Sequence, residues 1–121
     1  MKQKLIGTYV LGWEHIRLFI RKEPGAGYWM TPDDNGTGYI EVGYSDNWGN
    51  FLGSLTHEVM EFSLRRIECS YWFANDASDD NGARLFVMDH RQMSEATARV
   101  GKFIAACYDD LHKAWKKWRV K

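Results

Sequence analysis

Between Trp13 and Glu23, Ile16, Leu18 and Ile20 fall on one side while Arg17 and Arg21, joined by Phe19, fall on the other. This period of two predicts a strand with one buried face. Pro24-Gly25-Ala26-Gly27 breaks the chain, and Tyr28-Trp29-Met30 starts a second strand that the spacing pairs with the first as a hairpin. Gly38 to Tyr44 gives another strand, with Ile40, Val42 and Tyr44 opposite Tyr39, Glu41 and Gly43. The period then changes. Trp48, Phe51, Leu52, Leu55, Val59 and Phe62 recur at helical spacing, with Arg66 as the one polar member of that face, and predict a helix from about Asn50 to Ile67. Arg84 to Met88 reads as a short strand, and Asp89 with Gln92 three positions on reads as the cap of a last helix. That helix has a sustained seam of Met93, Ala96, Val100, Phe103, Cys107, Leu111, Ala114 and Trp118. Together these elements predict one α+β domain over residues 1–121, a small antiparallel sheet of three to four strands on two main helices.

Length supports one core and no second, since the chain has 121 residues. Its apolar runs are only a few residues long, so no membrane span is expected. Met1 to Gly12 lacks the long apolar stretch and cleavage site of a signal peptide. Cys69 and Cys107 are too few for a disulfide framework and form no Cys-x-x-Cys pair, so reduced thiols and a cytoplasmic setting are expected. Cys107 falls in the seam of the last helix and reads as a buried small hydrophobe. Sixteen Lys and Arg balance sixteen Asp and Glu, which argues against duplex nucleic acid as a partner. Only the end of the chain, Lys113 to Lys121, interleaves cations with Trp115 and Trp118 as single-strand binders do. It also reads as a basic helix end whose tryptophans pack on the core. The acidic stretch Asn75 to Gly82 does not follow the calcium-loop spacing and reads as a solvated loop.

Candidate chemistry gathers on the first helix, in His57-Glu58-Val59-Met60-Glu61. Residues four apart project side by side, so His57 and Glu61 can share a ligand, while Glu58 points about a quarter-turn away. His90, at the start of the last helix, is the third candidate, because a helix N-terminus favours neutral, ligating imidazole. Two imidazoles and a carboxylate are a ligand set for catalytic zinc with an open position for water. Glu58 would then serve as general base. The alternative is an exposed helical face on which Arg65 pairs with Glu61 at i,i+4. His15 and His112 read as surface histidines.

From Gly38 to His90 the order of strand, turn and helix bearing Leu55-Thr56-His57-Glu58-Val59-Met60-Glu61 resembles a minimal zincin, and resembles most the small bacteriophage and prophage proteins with a His-Glu-hydrophobic-x-Glu helix followed by a later histidine. Zincins carry the His-Glu-x-x-His helix after an edge strand, and Glu61 stands here where the second histidine belongs. The resemblance implies a zincin-like scaffold, zinc on His57, Glu61 and His90, and peptidase-like hydrolysis assisted by Glu58. It equally implies an accessory protein in a bacterial host that keeps the scaffold for protein interaction. Six Trp, six Tyr and six Phe exceed what so small a core hides, so a protein partner or a homo-oligomer through exposed aromatics is expected.

Overall fold

The structure is a computed structural model that describes residues 3–30, 37–72 and 84–119. Its elements are β1 (Gln3–Leu11), β2 (Glu14–Arg21), β3 (Ala26–Met30), β4 (Thr37–Gly43), α1 (Trp48–Arg66), β5 (Ser70–Trp72), β6 (Arg84–Phe86) and α2 (His90–Arg119). The class is α+β, as the period changes predict. Among the described residues no helix is long and apolar enough to cross a membrane.

The sheet differs from the expected antiparallel one. Its order is β1-β2-β4-β3, with β2 and β4 parallel and the other pairs antiparallel, so the sheet is mixed. The two strands expected to form a hairpin do run in opposite directions, but β4 lies between them. Gly43 lets this happen. The loop after β2 crosses the end of β4 so closely that a Cβ at Gly43 would lie 2.3 Å from the Glu23 carbonyl oxygen. The Gly43 amide instead donates to Gly25 O at 2.6 Å, and the Tyr44 amide donates to Arg21 O at 2.8 Å. Consequently the strand leading into α1 is an inner one.

β1 is a strand the hydrophobic pattern did not reveal. It pairs with β2 across a tight turn in which Gly12 takes φ 67°. Its register shifts between Leu5 and Gly7, so the bulge changes the phase of the side chains and erases the alternation that marks the other strands.

Both helices lie on one face of the sheet. Ile16, Leu18 and Ile20 of β2 and Ile40 and Val42 of β4 are fully buried against Phe51, Leu55, Val59 and Phe62 of α1 and Phe103, Cys107 and Leu111 of α2. The predicted seam of α2 holds through Leu111, then turns onto Trp115, while Met93 is half exposed. Trp115 donates its indole N–H to Ser45 O at 2.7 Å. A smaller cluster of Leu64, Cys69 and Ala96 joins Phe86 and Met88 beneath the end of α1.

Two charged residues at core-facing positions meet. Glu14 begins the buried face of β2 and Arg66 ends the buried face of α1, and they meet as a two-pronged ion pair at 2.5 and 2.8 Å. Glu14 is only 1% exposed, so this carboxylate depends on its guanidinium partner for the solvation it has lost.

Candidate functional site

α1 begins at a cap in which Asn47 Oδ1 accepts from the Asn50 amide at 2.9 Å. From there the apolar stripe Phe51, Leu55, Val59 and Phe62 fixes the rotation of the helix on the sheet. That rotation turns His57 outward, with its side chain 68% exposed, and leaves Glu61 and Glu58 flanking it at 24% and 12%. His57 Nε2 lies 3.3 Å from Glu61 Oε2 and 3.8 Å from Glu58 Oε2. The i,i+4 pair is therefore formed, and Glu58 lies closer to it than a quarter-turn offset suggests.

Burial pushes the Glu58 carboxyl above the usual carboxylate range, and the negative charge of Glu61 adds to the shift, while His57 and Arg21 oppose it. A carboxylate held this way takes up a proton more readily than a solvated one. Two recesses meet at His57. One, about 510 Å³, is polar and lies toward β3, with Ala26, Asn50, Ser54 and Glu58 in its wall. The other, about 360 Å³, is apolar, formed by Met60, Leu64 and Phe86 beside Glu61. Gly53 borders both, and a Cβ there would meet nothing within 4 Å.

His90 is the first residue of α2 and is exposed. Its setting is the predicted capping box: the Gln92 amide donates to Asp89 Oδ1 at 2.8 Å, and the Asp89 amide donates to Gln92 Oε1 at 2.9 Å. Among the described residues, no three or more His, Cys, Asp or Glu side chains form a group able to hold a metal ion. His57 and Glu61 offer adjacent donors, and among the described residues no further ligand completes a zinc donor set with them.

The cysteines and Trp115 are buried in the core. Cys69 and Cys107 are free and buried, and burial pushes the Cys107 thiol up to about 12, which removes the thiolate needed for nucleophilic work. Trp115 is buried against the core, so it offers no free face for a base to stack on. His112 is less solvated than expected. It is half-buried, with its ring stacked on Trp115 and 4.6 Å from the ring of Trp48.

Pattern reading missed the crease between β1 and α2. Tyr9 Oη donates to Asp110 Oδ2 at 2.7 Å across it, and desolvation raises the Tyr9 hydroxyl above its ordinary range, with Asp110 adding to the effect. One cavity of about 770 Å³ lies beside Val10, Trp13 and Ala106, and another of about 250 Å³ beside Lys4, Asp110 and Lys117. The sequence signal was available in α2, where Ala98, Lys102, Ala106, Asp110, Lys113 and Lys117 recur every three or four residues along the flank of the apolar seam. Comparison with family models, with curated proteins and with solved structures found no match.

Proposed function

We propose that this protein acts through protein interaction, as an accessory protein of bacteriophage or prophage type in the cytoplasm of a bacterial host, on a scaffold resembling a zincin. The observation that carries this reading is the apolar surface of the β1–β2 hairpin. Leu5, Val10 and Trp13 are 49%, 50% and 51% exposed within one small ribbon. Leu5 and Val10 lie on the sheet face away from the helices, in register with Phe19 and His15. Exposed apolar side chains of this kind cost hydration free energy that a partner recovers. The two buried free thiols are consistent with a reducing compartment.

Affinity capture from host extract tests the reading, with wild type compared against Val10→Ser/Trp13→Ser after circular dichroism shows both folded. A partner retained by wild type and lost by the variant is expected, and light scattering tells whether it is a second copy of the chain. Equal capture by both proteins overturns the reading.

The 3.3 Å approach of His57 and Glu61 favours a second reading, a zinc-dependent hydrolase of peptidase type with zinc on His57, Glu61 and His90 and with Glu58 as general base. For that set to close, His90 must be drawn to the α1 pair. Protein purified without chelator or affinity metal should then contain about one zinc per chain by mass spectrometry, and His57→Ala or His90→Ala should lose it. Metal-free wild type excludes this reading.

A further inference from the structure

We propose that the crease between β1 and α2 binds an extended acidic segment of a partner protein, added as a fifth strand to the sheet. The proposal rests on the interaction reading above and names the chemistry of the partner.

Three observations converge on this crease. The first is an open strand edge. β1 is terminal in the sheet, and among the described residues no strand pairs with its outer side. Its main-chain groups on that side are a template for a further strand. The second is length. From Lys4 to Leu11 a strand covers about 23 Å at about 3.3 Å per residue, and α2 from Arg99 to Lys113 covers about 21 Å at about 1.5 Å per residue. The helix wall thus accompanies the whole strand edge, and Ala98, Ala106 and Ala114 keep that wall low enough to leave the two cavities. The Tyr9–Asp110 hydrogen bond stands between them.

Charge is the third observation, and it selects the occupant. Lys4, Arg99, Lys102, Lys113 and Lys117 line the two cavities, against the carboxylates Glu95 and Asp110. Glu95 is already engaged by Arg99 at 2.9 Å, and Asp110 by Tyr9. The four lysines are exposed. In a protein without net charge, this crease is a local positive strip. A second copy of the chain paired edge to edge through β1 would bring two such strips together, and like charges in register disfavour that contact. An extended segment alternating acidic and apolar side chains suits both faces of a fifth strand: its carboxylates turn toward the lysines of α2, and its apolar groups lie on the opposite sheet face, which Leu5 and Val10 share. Single-stranded nucleic acid would satisfy the lysines but would leave the strand edge unpaired.

Fluorescence anisotropy tests the proposal with labelled peptides of about ten residues, enough to span β1. The probe alternates valine and glutamate. One control replaces its glutamates with lysine, a second replaces its valines with proline, and a third is an oligothymidylate of similar length. The valine–glutamate peptide should saturate, and Lys102→Glu/Lys117→Glu, two surface changes that leave the core intact, should weaken it at least about tenfold. The lysine and proline peptides should not bind, because they lack the charge or the strand-forming amides. Failure of the valine–glutamate peptide to bind at about 1 mM overturns the proposal, as does equal binding of the proline peptide or tighter binding of the oligothymidylate. Should the peptide fail while host extract still yields a partner lost by Val10→Ser/Trp13→Ser, the acidic strand falls and the interaction reading survives.

Discussion

Two groups of charged side chains lie along α1, and their surroundings differ in kind. At its C-terminal end Arg66, itself mostly buried, grips the buried Glu14 with two hydrogen bonds. In the middle of the helix His57 stands exposed between Glu58 and Glu61, two carboxylates sharing one imidazole. The first group balances its charges and joins β2 to α1. The second holds surplus negative charge and borders two recesses. A fold gains from the first kind of arrangement by completing it, and tolerates the second only where the helix surface is free. Stability therefore depends on Glu14–Arg66 and little on the exposed His57.

The largest effect should follow from Glu14→Ala, which strands Arg66 without its partner and should cost about 3 kcal/mol in urea unfolding. Replacing both residues, as Glu14→Leu/Arg66→Met, should restore stability to within about 1 kcal/mol of wild type, because no unpaired charge remains. A double variant as unstable as Glu14→Ala would show that the fold needs the pair itself. On the other side of the comparison, Gly53→Ala adds a methyl group into open space on a helix and should stabilise by about 0.5–1 kcal/mol.

Glu58→Gln should stabilise by about 0.5 kcal/mol at neutral pH, the size of a relieved like-charge helical pair. Its pH dependence is the sharper test. Because the folded carboxyl binds its proton more tightly than the unfolded one, its contribution to stability is full below the unfolded value near 4.5 and is lost as pH rises through the folded value. Stability curves of wild type and variant, measured between acid and neutral pH, should diverge in that direction; parallel curves would contradict the burial of Glu58. His57→Ala, at an exposed site, should change stability by less than about 0.5 kcal/mol.

The legible parts of this chain are those whose pattern is local. β2, β4 and both helices announce themselves because a single buried face repeats at a fixed period, and the His57–Glu61 pair follows from helix geometry alone. The Asp89–Gln92 cap is equally local. β1 escaped because its bulge breaks the period and because an edge strand buries little. The mixed sheet escaped for another reason: which strand neighbours which depends on the close crossing at Gly43, a contact between distant segments. Arg66 and Glu14 were each visible as polar residues at core-facing positions, and only their meeting needed the fold. The burial of Glu58 likewise depends on the recess toward β3, which no helical wheel contains.

If the charged group around His57 lies apart from the binding surface, and the β1–α2 crease is that surface, the two regions separate cleanly in solution. Amide chemical shifts of isotope-labelled protein, recorded while the valine–glutamate peptide is added, test this most directly. Shifts should concentrate at residues 4–11 and 99–117 and leave residues 57–61 in place. Absence of shifts along β1, or shifts centred on His57 to Glu61, would contradict the account.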